Sequence, residues 1–467
     1  MNMLLPRLGA LAVTLLALTP APRCVAAPAA TKPAPTVILI SVDGLASYYF
    51  DDPKAHIPTI RWMATNGARA ERMEASFPTV TWPNHTTLVT GVSPGKHGVI
   101  GNNYYDRAQN KNIPLIPDPL FDKEEIVKVP TVYDVAHQAG FKTAGVIWPA
   151  SRNAKHLDWQ VPDVGEQELF EKYATPSLLK GLNDIGVPIA KQGEWCKLGN
   201  PGKAQRDWMY TRIAEHILKA HKPNLLAIHL VSVDAFEHSN GRQSPEAYWA
   251  CNDSDNRVRE LVEAVRAAGL EDRTTFFVTA DHGFISYTNS VNINALLANE
   301  GLITVAGNRI VDGKVHFLSQ GGGGFFYVRD TANREAILKQ LAAKLKGVEG
   351  IETIIEEKDF AKFGMALAKD DPRCPDLMIG AADGYTLSDS PAPKDLITPS
   401  GGVKGTHGYS PKHPLMYASF VAWGAGIKSG TTLKEIRNVD VAPTMAAVLG
   451  LKMQNVEGRV LTEILKK

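Results

Sequence analysis

The chain has few cysteines and almost no net charge, and each shortage excludes a class of protein. Only four of its 467 residues are cysteine, and their spacing is wrong for a cysteine-based metal site. The formal net charge is +1 and no basic run occurs, so nothing in the sequence indicates a nucleic-acid-binding surface or binding to a membrane surface. Internal repeats and low-complexity tracts are also missing, and a hydrophobic content of 44% is typical of a folded protein.

The sequence offers a targeting signal at its N-terminus and nothing there that is long enough to span a bilayer. Arg7 precedes an apolar run, Leu8–Leu18, and Val25–Ala27 supplies small residues for cleavage. We predict that residues 1–27 are a cleaved signal peptide and that residues 28–36, rich in Ala and Pro, form an extended leader. The protein is then exported, periplasmic or secreted, with no transmembrane anchor after signal removal.

Export also permits a disulfide bond. Cys24 leaves with the signal peptide, and the remaining Cys196, Cys251 and Cys374 cannot all pair. One bridge and one free thiol are compatible with the sequence, which does not select the pair.

Buried strands alternate with helices along the rest of the chain. Runs of β-branched and aromatic residues predict strands at 35–44, 142–148, 224–234 and 274–281, and amphipathic patterns predict helices at 131–139, 204–220 and 244–268. This order predicts an α/β fold, a three-layer sandwich with a mostly parallel central sheet and helices on both faces. We predict one catalytic domain over residues 37–467, with an irregular, pocket-shaping insertion at 149–203, a subdomain at about 284–400 and a loop at 404–409.

Three of the predicted strands end in aspartate: Asp43, Asp234 and Asp281. In a parallel sheet, ligands bind outside the carboxyl ends of the strands. His238 follows Asp234 at helical i,i+4 spacing and His282 follows Asp281 directly, while a third histidine, His407, lies between glycines. Each feature has an ordinary alternative, such as a helix cap or a surface pair. Together, three acids and three histidines suit two metal ions sharing oxygen and nitrogen ligands.

A turn at residues 75–91 supplies a possible nucleophile. Pro83 suits the first turn of a helix, so the Thr81 hydroxyl is expected beside a helix N-terminus, where backbone N–H groups favour anions. A threonine hydroxyl is a weak nucleophile unless its proton is removed, and a bound metal lowers its pKa. On this stretch alone, Thr79 and Thr81 are better explained as ordinary turn and helix-capping residues. Because the acids and histidines elsewhere in the chain could activate a hydroxyl, we assign the nucleophile to Thr81 and a structural role to Thr79.

Six ordered motifs along the chain resemble one family. They are Val-Asp43-Gly44, Phe-Pro-Thr-Val-Thr81-Trp-Pro-Asn-His, His97-Gly-Val-Ile-Gly-Asn102, Asp234-x-x-x-His238, Ala-Asp281-His282-Gly283 and Thr-His407-Gly408-Tyr409. The chain resembles the nucleotide pyrophosphatase/phosphodiesterase branch of the alkaline phosphatase superfamily. The resemblance implies hydrolysis of a small-molecule phosphodiester or nucleotide through a phosphothreonine intermediate.

The resemblance also implies two zinc ions per subunit. One is expected at Asp234, His238 and His407, and the other at Asp43, Asp281 and His282 facing the Thr81 oxygen. Asn102 and the Thr81 N–H are expected to hold the non-bridging phosphoryl oxygen. Substrate contacts are expected from the three aromatic residues Trp82, Trp148 and Tyr104, although Trp82 as a core residue is an equal alternative.

Three other functions are compatible with the motifs. The same site suits an alkaline-phosphatase-type phosphomonoesterase, although no motif residue is the Arg or Lys that such enzymes place beside the phosphoryl group. It also suits a phosphonate hydrolase. A zinc-free binding protein that retains the fold is the alternative outside enzymes. The motif of a sulfatase nucleophile is missing.

Overall fold

The computed structural model describes residues 33–116, 121–391 and 395–466. The predicted signal peptide, which contains Cys24, and residues 28–32 of the leader therefore lie outside the described residues. The strands of the described residues, in chain order, are β1 (Thr36–Val42), β2 (Ala68–Glu74), β3 (Asn103–Asp106), β4 (Lys111–Pro114), β5 (Thr143–Val146), β6 (Trp159–Val161), β7 (Leu225–Leu230), β8 (Thr274–Thr279), β9 (Ile285–Asn292), β10 (Ile303–Ala306), β11 (Arg309–Gly313), β12 (Val315–Gln320), β13 (Gly323–Val328), β14 (Ile351–Glu356), β15 (Leu377–Ala381), β16 (Gly384–Ser388), β17 (Ile397–Thr406), β18 (Ala418–Gly424) and β19 (Thr431–Arg437).

The helices connect these strands. They are α1 (Pro58–Asn66), α2 (Thr81–Thr90), α3 (Pro94–His97), α4 (Lys123–Ile126), α5 (Val132–Gln138), α6 (Gln167–Tyr173), α7 (Pro176–Asp184), α8 (Gln192–Cys196), α9 (Asn200–Ala220), α10 (Ser232–Asn240), α11 (Pro245–Ala267), α12 (Ile293–Asn299), α13 (Arg334–Leu345) and α14 (Val441–Val448). In the part of the chain that the structure describes, no helix combines the length and apolarity needed to cross a membrane.

An eight-stranded sheet forms the centre of the fold, in the order β19-β2-β18-β8-β1-β7-β5-β6. The run β8-β1-β7-β5-β6 is parallel throughout, and β18 is antiparallel to both of its neighbours. Helices α1, α9, α10 and α11 pack together in one group, and α2, α5 and α14 in another. The prediction of a mostly parallel α/β sandwich is confirmed.

The middle strand is buried along its whole length, which explains its uninterrupted apolar sequence. All seven residues of β1 are buried, because strands flank both edges and side chains cover both faces. Ser41 near its end pairs with His229 of β7 and with Thr279 of β8. The three strands therefore end at the same edge, where the segments that follow them meet.

The region between β8 and β18 is built differently from the rest of the fold. Strands β12-β13-β15-β14 form a four-stranded sheet, β16-β9-β17 a three-stranded sheet and β10-β11 a hairpin. These small sheets enclose their own apolar core together with α12 and α13. They lie almost entirely within residues 284–400, the range predicted as a subdomain, and that domain assignment stays a prediction.

Three local predictions were wrong. The strand expected over 224–234 ends at Leu230, and Asp234 lies on helix α10. Residues 149–203 are not irregular, because they contain β6, which extends the central sheet, and helices α6, α7 and α8. The loop expected at 404–409 begins only after β17 ends at Thr406.

Candidate active site

Two clusters of acids and histidines lie beyond the carboxyl ends of β1 and β8. Asp234, His238 and His407 form the first cluster, and Asp43, Asp281 and His282 form the second. In each cluster the potential ligand atoms lie within 4.8 Å of one another, so each can hold a metal ion. The His282 and His407 rings stack with their centroids 3.8 Å apart, which places the clusters side by side. The structure thus brings together all six predicted ligands.

Backbone contacts fix the acids of the two clusters relative to each other. The Asp234 N–H donates to the Asp43 carbonyl oxygen at 3.1 Å, and the Gly44 N–H donates to Asp281 Oδ1 at 3.2 Å. Gly44 has a φ of +76°, and a Cβ there would lie 3.0 Å from Glu237 Oε2. Only glycine fits this left-handed, crowded position, which explains the Asp43-Gly44 motif.

The ring orientation of each histidine leaves one nitrogen free for a metal. His238 Nδ1 lies 2.9 Å from the Gly405 carbonyl oxygen, His407 Nδ1 lies 3.0 Å from that of Thr79, and His282 Nδ1 lies 3.1 Å from that of Gly283. A carbonyl only accepts, so each Nδ1 carries the hydrogen and each neutral ring presents its Nε2 lone pair to the cluster. Such backbone partners are what fix metal-binding histidines in other proteins.

The unpartnered atoms of the clusters fit cations. His238 Nε2 and His407 Nε2 lie only 3.2 Å apart, and in the neutral rings no hydrogen separates their lone pairs. Asp43 Oδ1, Asp234 Oδ1, Asp281 Oδ2 and His282 Nε2 are buried without a hydrogen-bond partner among the described residues. Buried polar atoms are nearly always satisfied, so this set indicates an electrophile that accepts oxygen and nitrogen lone pairs.

The pKa shifts have the same origin. Burial raises the pKa of Asp43 and of Asp281 well above ordinary values, and each faces another carboxylate. Burial likewise lowers the pKa of His407 to about 4 and holds that of His282 well below its usual range. Burial disfavours the charged forms of these four groups, whereas the attraction between Asp234 and His238, 3.3 Å apart, outweighs burial, so the pKa of Asp234 is lowered and that of His238 is raised. Bound divalent cations would lower the pKa of Asp43 and Asp281 again, because they stabilise the ionised carboxylates.

The Thr81 turn lies between the two clusters. Thr81 is the first residue of α2, and its N–H has no acceptor among the residues that the structure describes. On one side, His85 Nδ1 donates to the Thr81 carbonyl oxygen at 2.9 Å and lies 3.4 Å from Asp281 Oδ2. On the other, the Thr79 carbonyl oxygen holds His407. A group bound at this helix N-terminus therefore meets both clusters.

Asn102 approaches the same helix end. Its Oδ1 accepts from the Trp82 N–H at 2.9 Å, so its Nδ2 hydrogens remain available to a ligand. Gln320 Oε1 accepts from the Asn102 N–H at 3.2 Å. Together, the Thr81 N–H and the Asn102 amide can donate to one anionic oxygen.

Two residues of the turn have supporting contacts. Thr79 Oγ1 donates to the Tyr409 carbonyl oxygen and accepts from the Gly408 N–H, both at 3.0 Å. Asn84 Nδ2 donates to the carbonyl oxygens of Pro78 and Val80, at 3.1 and 2.8 Å. Thr79 thus positions the loop of His407, and Asn84 fixes the backbone that leads to Thr81.

The sequence analysis missed two residues that support the site. His229 lies in none of the six motifs and would by default be a structural or surface residue, whereas its Nε2 lies 2.8 Å from Asp43 Oδ2. Gln320 went unmentioned although its side chain holds the backbone of Asn102 and Asn103. For Gln320 the sequence does contain one indication, the run of glycines that follows it. In the glycine run after Gln320, a Cβ on Gly322 would lie 2.3 Å from the Tyr409 ring, so the run marks a close approach of the chain.

The aromatic residues predicted to contact substrate are buried. Trp82 and Trp148 are each 1% exposed, and the Trp148 ring packs edge-on against His85. Tyr104 is 7% exposed and lies under the Arg373 guanidinium. This burial favours packing for the two indoles, and their contact with substrate stays a prediction, as does that of Tyr104. Cys196, Cys251 and Cys374 are all free thiols, so no disulfide forms among them.

Comparison with known proteins identifies a matching family and several relatives. The sequence model of the family described as "Type I phosphodiesterase / nucleotide pyrophosphatase" matches residues 37–410. A venom phosphodiesterase of Naja atra is 25% identical over 424 residues, which are 89% of this chain and 44% of that protein. Ectonucleotide pyrophosphatase/phosphodiesterase family member 3 of Mus musculus is 28% identical over 257 residues, 53% of this chain and 25% of that protein. The chain thus spans less than half the length of these curated relatives.

Solved structures share the fold. Murine ectonucleotide pyrophosphatase/phosphodiesterase 5 superposes with a TM-score of 0.69 at 17% identity, covering 92% of this chain and all of that chain. The human protein of the same name gives a TM-score of 0.68. The family model spans most of the chain, including the Thr81 turn and every residue of both clusters, and the chain belongs to the type I phosphodiesterase/nucleotide pyrophosphatase family.

Proposed function

We propose that the chain is an exported two-zinc hydrolase that cleaves phosphodiester or phosphoanhydride bonds of nucleotide-like substrates through a phosphothreonine intermediate. One observation carries the proposal. Thr81 begins a helix, and its carbonyl oxygen is linked through His85 to Asp281 of the second cluster. The Thr79 carbonyl oxygen just before the helix accepts from His407 of the first cluster. An isolated cluster would suit a structural metal, whereas a threonine at a helix N-terminus next to two clusters suits in-line displacement at phosphorus.

Zinc is the ion we propose for both clusters. Each offers oxygen and imidazole ligands from three residues, Asp234, His238 and His407 in one and Asp43, Asp281 and His282 in the other. Three protein ligands with an open position are typical of catalytic zinc. Bound zinc would supply the positive charge that stabilises an ionised Thr81 oxygen and the departing oxygen.

The residues of the chain account for the remaining steps. The Thr81 hydroxyl gives its proton to solvent water, and Thr81 Oγ1 then forms a bond to phosphorus as the bond to the leaving oxygen breaks. The leaving oxygen takes a proton from solvent water. The Thr81 N–H and the Asn102 amide donate to a non-bridging oxygen, whose charge grows in the transition state. Water then attacks the phosphothreonine, which releases the phosphoryl product and restores the Thr81 hydroxyl. No general base is needed near Thr81.

The known proteins support nucleotides as the substrate class. Relatives are named phosphodiesterases and nucleotide pyrophosphatases. An inactive variant of murine family member 5 was solved in complex with AMP. We propose the same phosphodiesterase activity and nucleotide binding for this chain, together with export through the N-terminal signal over residues 1–27.

The test compares Thr81→Ala with the wild-type protein. We expect the wild type to hydrolyse bis(p-nitrophenyl) phosphate and a nucleoside triphosphate, and we expect Thr81→Ala to lose turnover of both while retaining zinc, measured by elemental analysis. Thr65→Ala is the control, because Thr65 is an exposed threonine whose hydroxyl donates to Arg61 within its own helix. Wild-type turnover by Thr81→Ala would eliminate the covalent mechanism, and a wild type inactive on every phosphoryl substrate would eliminate the function.

A further inference from the structure

Helix α9 lies along helix α10 of the first cluster, and the two helices run in opposite directions. Ser239 Oγ near the end of α10 donates to Asn200 Oδ1 at the start of α9, at 3.4 Å. Asp207, two turns further along α9, accepts from the N–H groups of Val231 and Ser232 at the start of α10, at 2.8 and 2.9 Å. The first two turns of α9 therefore cover the length of α10, which carries Asp234 and His238.

Lys203 lies between these two anchors on the same helix face. It is three residues after Asn200 and four before Asp207, and residues at these spacings share one side of a helix. Asn200 and Asp207 both contact α10, so the helix face that carries Lys203 is the one turned toward α10. The Lys203 ammonium interacts electrostatically with Asp43 and with Asp234, one acid from each cluster, and with Asp163. Lys203 is thus the cation beside the site that the motifs do not contain.

The ammonium of Lys203 has no hydrogen bond and no ion pair within 4.0 Å to any residue in the described part of the chain. It is partly buried, and burial together with Arg206 lowers its pKa. Arg206, one turn away, is already occupied, because its guanidinium donates to Tyr210 and to Cys196. The Lys203 ammonium is attracted to Asp234 and Asp163 without a hydrogen bond to either, so its N–H groups are available to a ligand oxygen. The two clusters beside it would place a substrate phosphate there.

We propose that Lys203 determines substrate choice by binding a phosphate oxygen whose negative charge exceeds the single charge of a simple diester. This inference rests on the proposed function. Two substrate types share that chemistry. In a nucleoside polyphosphate, a phosphate next to the cleaved bond carries the extra charge. In a phosphomonoester, the reacting phosphate itself is a dianion. A simple diester with uncharged substituents offers Lys203 nothing further to bind.

The experiment uses Lys203→Met, which retains an unbranched side chain and removes the charge, in the full-length protein. The substrates are ATP, p-nitrophenyl phosphate and bis(p-nitrophenyl) phosphate. A hydrogen bond to a charged group corresponds to about 10- to 100-fold in affinity, so we expect that loss in kcat/KM for ATP, for the monoester, or for both. For the diester we expect a change below about threefold. Loss on ATP alone assigns the contact to a polyphosphate, and loss on the monoester alone assigns it to the reacting phosphate.

Controls separate recognition from damage to the site. Lys203→Arg is expected to recover most of the lost kcat/KM, because it restores the charge. Lys219→Ala, an exposed lysine further along the same helix, is expected to match the wild type on all three substrates. In a Thr81→Ala background, calorimetry is expected to give ATP or phosphate binding that is about 10-fold weaker with Lys203→Met, with unchanged zinc content.

Two results would overturn the inference while leaving the proposed function intact. One is an equal loss on all three substrates or a loss of zinc, which would mean that Lys203 only balances the acids of the clusters. The other is unchanged kinetics and binding in Lys203→Met. Failure of the proposed function is distinguishable from both, because then the wild type itself would hydrolyse none of the three substrates.

Discussion

Replacing Asn102 by aspartate separates its two predicted roles. The Asn102 Oδ1 anchors the start of α2 by accepting from the Trp82 N–H at 2.9 Å, and the Nδ2 hydrogens are left for the substrate. Aspartate keeps an oxygen for Trp82 but has no amide hydrogens when ionised. The variant therefore retains the anchor and loses the donor. Asn102→Ala loses both.

The role as donor to the substrate affects kcat, whereas the role as anchor of the helix affects the free energy of unfolding. Losing a donor to the growing negative charge of a transition state lowers kcat by about 100- to 1,000-fold. Losing the anchor costs about 1 kcal/mol of unfolding free energy, whereas a carboxylate at a helix N-terminus contributes about 0.3–1 kcal/mol. We expect Asn102→Asp to be as stable as the wild type or slightly more stable, and Asn102→Ala to be less stable. Both variants should lose at least about 100-fold in kcat.

Steady-state hydrolysis of bis(p-nitrophenyl) phosphate measures the first quantity, and chemical denaturation of the metal-loaded protein measures the second. Elemental analysis of zinc confirms that both clusters remain intact in each variant. If Asn102→Asp kept kcat within threefold of the wild type while Asn102→Ala was inactive, Asn102 would only anchor the helix, and the oxyanion-binding role would be refuted.

Two further variants and one treatment test other parts of the protein. Burial lowers the pKa of His97 to about 3, below its unfolded value of 6.5, so the stability gained by keeping it neutral is complete above pH 6.5 and falls as the pH drops toward 3. His97→Gln should therefore lose about 2 kcal/mol less unfolding free energy than the wild type between pH 7 and 5, measured by urea denaturation, and equal losses would contradict this. Thr79→Val removes the hydroxyl that donates to the Tyr409 carbonyl oxygen and accepts from the Gly408 N–H, both at 3.0 Å, so that only the 2.9 Å bond from the Gly408 N–H to the Thr79 carbonyl oxygen remains. It should weaken zinc binding by about 10- to 100-fold in a metal titration, whereas unchanged affinity would remove the Thr79 hydroxyl from the support of His407. EDTA should abolish activity and Zn²⁺ should restore it, and full activity in metal-depleted protein would rule out the two-zinc site.

The second cluster could be predicted because its signals are local. A run of buried β-branched residues ends directly at Asp43-Gly44, and another ends just before Asp281. The first cluster does not follow a strand end in the same way. Strand β7 ends at Leu230, and the chain enters α10 before it reaches Asp234, because Asp207 caps that helix. The i,i+4 spacing of Asp234 and His238 held because it is a property of any helix.

Supporting residues could not be predicted because their contacts join distant parts of the chain. His229 reaches Asp43 across 186 residues, and Gln320 reaches Asn102 across 218. Neither partner appears in the local pattern around the other. In residues 149–203, by contrast, the local sequence pattern was misleading, because its prolines and glycines suggested an irregular segment. The prediction of an irregular segment missed α7, which begins at Pro176, because proline is well tolerated in the first turn of a helix.

The metal clusters and the substrate cation depend on different parts of the fold. The ligands rest on the ends of the central strands, on α10 and on the loop after β17. Lys203 comes instead from α9, which follows α8, and the Asp207 contact with α10 sets its position relative to the first cluster. A change in the residues before Asp207 can therefore alter which phosphate is bound without moving a ligand. Substrate preference can thus vary while the metal chemistry of the site stays the same, and this separation explains why motifs that identify the clusters do not identify the substrate.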